Sequence, residues 1–443
     1  MNLPEAFIKC TTELLGDDFH LFVKALGEKP PTSIRVNNKI QYQPSKERVP
    51  WCETGYYLKE RPLFTADPLF HAGVYYVQEA SSMFLYQCVI QHFKNAKTVL
   101  DLCAAPGGKS TLLTQALSEN SLLVSNEIIR SRAYILAENL IKWGNPNIVV
   151  TNNEPKDFAL LPGFFDVVVV DAPCSGEGMF RKDEGAILEW SEYNVSLCAK
   201  RQREILSSVW DTLKNEGILV YSTCTFNREE NEDNVRWICE ILGADLLKIN
   251  LDGNSDITES DFGYRFYPQK TKGEGFFISI LQKNSYSSKS TKKIKDDKKG
   301  IKVIQKNDIS SLSLIDNENW TIVAENNQFN AYDSNRLSDY LLLKKNLKCM
   351  YSGLLLGEVK GIDFIPSAAI ALSKKLNKLS VEIIEVDYTT AILFLKKEAI
   401  FFPDSKRGYL LISYKGQALG WLKNMGNRCN NLYPHEWRIR MKL

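Results

Sequence analysis

Order along the chain is clearest between about Lys97 and Gln282, where short apolar runs alternate with amphipathic stretches. TVLDLC, LLVSNE, NIVVTN, FDVVVVDA and GILVYSTC are rich in Val, Ile and Leu and too short for helices, the pattern of strands buried on both faces. Between them GGKSTLLTQALSE, IIRSRAYILAENLIKWG and LCAKRQREILSSVWDTLKNEG space their apolar residues as helices do, and the last reads as a helix running to Gly217. Asn227 stands where an N-cap is wanted, with Glu230 three residues on, ahead of NVRWICEILG. Strands separated by helices predict an α/β fold, a parallel sheet wound on both faces. In such sheets ligands gather at the carboxyl ends of the strands.

The flanks look different. The first part of the chain holds SIRVN and the loop-rich VPWCETGYYLKERP and reads as an N-terminal extension, residues 1–74, ahead of a core over 75–283. Residues 284–308 open on NSYSSKSTKK, and seven lysines face two aspartates between Lys289 and Lys302, which predicts a linker in preference to an RNA-binding arm. Residues 309–443 read as a separate region of short strands and turns, with YLLISYKGQALGWLKN a hairpin and RCNNLYPHEWRIRMKL basic and aromatic. Of Trp421, Tyr433 and Trp437, at least two are expected to be packing residues, whereas Lys423, Arg428, Arg438 and Arg440 are candidates for phosphate contact.

Composition narrows the function classes. With 443 residues the chain exceeds one ordinary core. A net charge of only +2 means that a polyanionic partner must be met by a local basic surface. No apolar run approaches the ~18 residues a bilayer requires, and MNLPEAFIKC lacks the pattern of a secretory leader. A cytoplasmic monomer with no membrane partner is therefore expected. The ten cysteines include no CxxC pair and the four histidines are scattered, which predicts free thiols and no metal site.

Candidate chemistry begins at DLCAAPGGKST. A phosphate loop would need glycine five positions before Gly108, where Cys103 stands, and the three-glycine dinucleotide pattern is absent. What remains is a strand, a tight loop of Cys103, Ala104, Ala105, Pro106, Gly107 and Gly108, and a helix N-terminus at Lys109. Its backbone N–H groups and dipole suit a ligand carboxylate. Glu127 ends the next strand, where an acid can accept both hydroxyls of a ribose. A nucleoside carrying a carboxylate, S-adenosylmethionine, fits this pair better than a triphosphate, with a nucleotide as the competing reading.

Two cysteines stand in polar loops after apolar strands, Cys174 in DAPCSGEGMFRKD and Cys224 in YSTCTFNREENE. A thiolate adding to carbon 6 of a pyrimidine makes carbon 5 nucleophilic, an acid such as Asp171 can assist at N3, and a second thiol can serve as base in the later elimination. Together with YYVQEASSM and GYRFYPQKTKGEGFFIS, these motifs resemble the Sun-type family of RNA (cytosine-5)-methyltransferases over about Tyr75 to Leu281. The resemblance implies a Rossmann-like S-adenosylmethionine-dependent fold, Cys224 as the attacking thiol and Cys174 as the group that aids release. It further implies that Cys103 to Lys109 wrap the cofactor, that Glu127 holds the ribose and that Asp171 lies beside both methionine moiety and cytosine. For an acid near the adenine TNNEP offers Glu154, with Asn152 and Asn153 as rivals. Lys109 reads equally as a positioning group or as a solvated helix residue. The segments LLLGEVKGIDFIPS and ALGWLKNMGNRCNNLYP are similar to the PUA-like tail of RsmF-type bacterial enzymes, which implies 16S ribosomal RNA of the small subunit as substrate. Transfer RNA, or an RNA-binding assembly factor without turnover, are the alternatives, and a DNA enzyme would leave Cys224 surplus.

Overall fold

In the computed structural model, residues 2–39, 41–253, 255–285, 302–303, 313–315 and 319–442 are described. Five parallel strands form the heart of the molecule: β1 (Thr98–Asp101), β2 (Leu122–Asn126), β3 (Ile148–Thr151), β4 (Phe165–Asp171) and β5 (Leu213–Thr223). Their spatial order is β5-β4-β1-β2-β3. The chain therefore reverses its winding between β1 and β4, which opens a crevice at their carboxyl ends. Successive valines of β4 point to opposite faces, Val167 and Val169 into one core and Val168 and Val170 into the other, as the period of a strand dictates. Helices α1 (Gly108–Ala116) and α2 (Arg130–Trp143) cover the first face through Leu112, Leu113, Leu136 and Leu140. Helix α3 (Glu192–Val209) covers the second through Leu206 and Val209.

Antiparallel strands extend the sheet on both sides. β6 (Phe276–Lys283) pairs with β5, and Gly263–Phe266 and Thr258–Ser260 follow it outward. At the opposite edge Cys349–Ser352 pairs with β3, so a strand from far along the chain completes the sheet. Helix α3 does not run to Gly217 as its pattern predicts. It ends at Val209, and Leu213 already pairs with Phe165. The register then shifts between Phe165 and Val167, with Glu216 at a φ of 60°. That irregularity holds Lys214 to Gly217 out of the ladder and restores pairing at Ile218.

Two smaller sheets lie outside the core. Thr32–Val36 is flanked by Gly55–Leu58 and Tyr75–Val77, both antiparallel to it. The predicted hairpin forms from Gly408–Tyr414 and Gln417–Asn424, turning on Lys415 and Gly416, both with positive φ, as a tight hairpin turn demands. Trp421 and Tyr433 are buried and Trp437 packs edge-on against Tyr433. The N-terminal and C-terminal sheets share one core, in which Ile34, Val36 and Tyr56 meet Phe394, Leu410, Ile412 and Tyr433. Of the segment read as a linker, only residues 284–285 and 302–303 are described, and Lys302–Val303 pairs with Trp320–Glu325. The remainder lies outside the described residues. Among the described residues no helix is long and apolar enough to cross a membrane.

Candidate active site

Asp171 and Ser222 are in register at the ends of β4 and β5, so the loops that follow leave the sheet side by side. Cys174 and Cys224 stand in those loops with their Sγ atoms 3.1 Å apart. All ten cysteines are free. Lys109, in the first turn of α1, reaches across from β1's side and places Nζ 2.8 Å from Asp171 Oδ2. The Ser222 hydroxyl donates to Asp171 Oδ1 at 2.7 Å. Burial draws the Lys109 ammonium down, but the charge and hydrogen bond of Asp171 outweigh it, and the net displacement is upward. The ammonium also sits 5.1 Å from the centre of the Phe276 ring, a favourable cation–π geometry.

A cavity of about 420 Å³ opens here. Cys103, Ala104, Ala105, Pro106, Gly108, Lys109, Asp171 and Cys224 all line it. Gly107 does not. Its φ of +117° turns the chain into α1, and a Cβ there would come within 3.3 Å of Leu136, so only glycine suits the turn. Cys174 stands behind Cys224, outside the lining.

Glu127 and Glu154 are not brought to this cavity. Glu127 is buried at the end of β2, where Oε1 accepts the Ile129 N–H at 2.9 Å and Oε2 lies 3.5 Å from Arg132. Arg132 also donates to the Ala105 carbonyl at 2.8 Å, linking Glu127 to the glycine loop at one remove. Glu154 is exposed, caps the short helix Pro155–Leu160 and pairs with Lys156 at 2.6 Å. Of its rivals, Asn152 holds the carbonyls of Glu127 and Ile128, and Asn153 binds Asp157.

Several further residues support the site. Glu230 is fully buried and accepts from Ser175 N at 3.0 Å, Gln202 at 2.7 Å and Asn227 at 2.7 Å. Glu177, also buried, accepts from Trp190 at 2.9 Å, Phe226 N at 2.7 Å and Asn227 N at 2.9 Å. Each carboxylate thus ties the loop after β4 to the loop after β5. Arg35, from SIRVN, is buried beneath the glycine loop, with Nη2 on Thr111 Oγ1 at 2.6 Å and Nε on Gln78 at 2.8 Å, stacked 4.4 Å from the Trp143 ring. Asp101, the last residue of β1, accepts from Ser110 at 2.6 Å, and burial pushes its carboxyl up to about 7. Gln78, Glu79, Met179, Lys182 and Phe276 also belong to the cavity wall. The motifs that contain them were legible, but their convergence needed the fold.

Residues 88–282 match the family described as 16S rRNA methyltransferase RsmB/F. Residues 3–80 match the N-terminal domain of 16S rRNA methyltransferase RsmF, and 381–439 the methyltransferase RsmF PUA domain. A ribosomal RNA small subunit methyltransferase F of Aliivibrio fischeri (strain MJ11) is 30% identical to the chain, over 98% of this chain and 97% of the relative. One of Pectobacterium atrosepticum is 34% identical over 64% of this chain and 63% of the relative. In that match the chain spans less than two thirds of the relative's length, as it does in a second Pectobacterium match at 63%. Among solved structures, a methyltransferase homologue from Pyrococcus horikoshii superimposes with a TM-score of 0.53 at 27% identity, over 63% of this chain and 95% of that one.

Proposed function

The chain belongs to the RsmF family of 16S rRNA methyltransferases, and from that premise we propose that it methylates carbon 5 of a cytosine in 16S ribosomal RNA with S-adenosylmethionine as donor. The observation that carries the reading is the pair of free thiols, 3.1 Å apart, beside a glycine loop and an ion-paired aspartate.

The residues present fit the donor. The first N–H groups of α1 have no partner within the helix, and they face the cavity at Gly108 and Lys109, where a ligand carboxylate is electrostatically favoured. Cys103 to Lys109 are the residues that would hold it, with Glu127 supporting the loop through Arg132. Bound there, S-adenosylmethionine supplies an electrophilic methyl group.

The chain's own residues do the rest. The target cytosine must leave its stack to enter the cavity. Cys224, as thiolate, adds to carbon 6 and moves electron density to carbon 5. As that density reaches N3 the ring nitrogen takes up a proton from solvent, and Asp171, fixed by Lys109 and Ser222, accepts the N3–H hydrogen bond and so steers it. Once carbon 5 carries its methyl group, Cys174 takes the remaining carbon-5 proton. The Cys224–carbon 6 bond then breaks, and its electrons leave with sulfur as the ring double bond re-forms. Arg428, Arg438 and Arg440, all exposed, are proposed phosphate contacts on the C-terminal domain, whereas Lys423 is paired with Asp363 at 2.7 Å.

The test uses labelled donor and small ribosomal subunits, with modified cytosines mapped afterwards. Label at cytosine carbon 5 is expected. Cys224→Ala should form no covalent RNA adduct, and Cys174→Ala should accumulate one, seen as a denaturation-resistant complex. No label on any RNA offered would refute the reading, and exchanged adduct phenotypes would exchange the two roles.

A further inference from the structure

Two thiols 3.1 Å apart are chemically alike, and only their surroundings can decide which attacks. On one side, Cys224 lines the cavity together with Lys109. The Lys109 ammonium is largely buried and is held up against that burial mainly by Asp171, with Asp101 and then Cys224 as lesser contributors. On the other side, the residue after Cys174 donates its N–H to Glu230. That carboxylate is fully buried, and its recorded donors are Ser175 N, Gln202 and Asn227, all neutral. Burial raises the Glu230 carboxyl above its usual range, and the hydrogen bonds from Ser175, Asn227 and Gln202 work against that shift; both oxygens only accept, as an ionised carboxylate does. Among the described residues no ion pair neutralises it. The other titratable groups near the pair are Asp171, already matched by Lys109; Cys103, Glu79 and the ion-paired Lys182 and Glu274 on the same cavity wall as Cys224; the Tyr221 phenol, which donates to the Glu230 carbonyl at 2.7 Å; and the Cys198 thiol on α3.

We propose that this charge placement assigns the roles: the first proton to leave the pair leaves Cys224, beside Lys109, while the unpaired anion of Glu230 keeps the proton on Cys174. The Cys174 S–H then donates to the Cys224 thiolate, so a nucleophile stands ready and attack by the wrong sulfur is suppressed. The hydrogen bond to Cys224, burial and the charge of Glu230 all hold the Cys174 thiol well above its ordinary range. When Cys224 becomes a thioether its half of that hydrogen bond is lost. Cys174 can then give its proton to a solvent base and act as the strongly basic acceptor for the carbon-5 proton. Glu230 is a positioning residue in this scheme, since it acts through Cys174, and the inference rests on the two-thiol reading given under Proposed function.

The experiment is residue-resolved alkylation of the full-length protein with iodoacetamide, without donor or RNA, over a pH series. Mass spectrometry follows the Cys174 and Cys224 peptides separately, and each residue's half-titration point is compared with its own plateau so that accessibility cancels. Cys224 should titrate at least one pH unit below Cys174, which is about a tenfold difference in thiolate at neutral pH. Glu230→Gln should narrow the gap by moving Cys174 down, and Lys109→Met should narrow it by moving Cys224 up. Should Glu230→Gln fail to fold, Lys109→Met carries the test from the other side. A gap that neither folded variant alters, or Cys174 titrating first, overturns the proposal. Methylation at carbon 5 without the gap would sink this inference alone, and the gap without methylation would sink only the functional reading.

Discussion

A carboxyl group sealed beneath a glycine loop cannot be both dry and charged without cost. Asp101 resolves the conflict by retaining its proton to about 7, with only Ser110 donating to it and Oδ1 without a partner among the described residues. Its folded value lies above its unfolded one, so the folded state holds the proton more tightly. The stabilisation is full in acid and is lost as pH rises from about 4 to about 7. Asp101→Asn keeps an acceptor for Ser110 and carries no charge. Between about pH 5 and pH 8 the wild type should therefore lose roughly 2–3 kcal/mol relative to this variant, read from denaturant melts at both values. Equal slopes for the two proteins would show that Asp101 ionises freely. Sequence reasoning missed this residue, and Glu177 with it, for one cause: an acid near a loop is ordinarily solvated, and only tertiary packing buries it. Glu230 was legible as half of a cap, and its N–H does bond Asn227 Oδ1 at 2.9 Å. The helix itself begins only at Glu232, and the Glu230 carboxylate serves the cysteine loops instead.

At the scale of elements, the site is three loops pressed back to back. Gly178, after β4, donates its N–H to the Cys224 carbonyl at 2.8 Å, and a Cβ on it would fall 2.6 Å from the Gly275 carbonyl oxygen, just before β6. A Cβ on Gly275 would in turn strike the Phe226 ring at 2.3 Å. Because the obstacles to residue 178 are backbone, nothing can rotate away. Gly178→Ala should part the loops, costing about 1–3 kcal/mol as overpacking does and lowering turnover far more than donor affinity. Thermal melts and titration calorimetry check the two halves, and an unimpaired rate would mean the loops are not held this closely. The strands that carry these loops were legible because each is buried on both faces and reads as an unbroken apolar run. The antiparallel additions, Gly263–Phe266 and Cys349–Ser352, were not, since short edge strands depend on partners distant in sequence. The end of α3 was misjudged because Leu213 continues the helical spacing of apolar residues, whereas its pairing with Phe165 already belongs to the sheet.

At the scale of the molecule, the beginning and end of the chain close on each other, which no local pattern announces. His71 lies at this seam, buried, with Nε2 3.0 Å from the Thr65 carbonyl and Nδ1 3.5 Å from the Tyr433 hydroxyl. Burial, aided by the charge of Lys142, lowers its imidazole to about 4. The unfolded chain binds that proton near 6.5, so acid favours unfolding: the contribution of His71 is intact above about 6.5 and declines as pH falls towards about 4. Near pH 5 the loss should amount to about 2 kcal/mol. His71→Gln retains a donor for Thr65 but cannot charge, so the wild type should lose stability against it between about pH 7 and pH 5 by that amount. Donor affinity at neutral pH should not distinguish the two proteins, because the seam lies apart from the glycine loop. Were the wild type and the variant to lose stability in parallel on acidification, the imidazole at this junction would have to take up its proton in the folded protein as readily as in the unfolded chain, and the packing of Tyr433 against it would have to open to let water in.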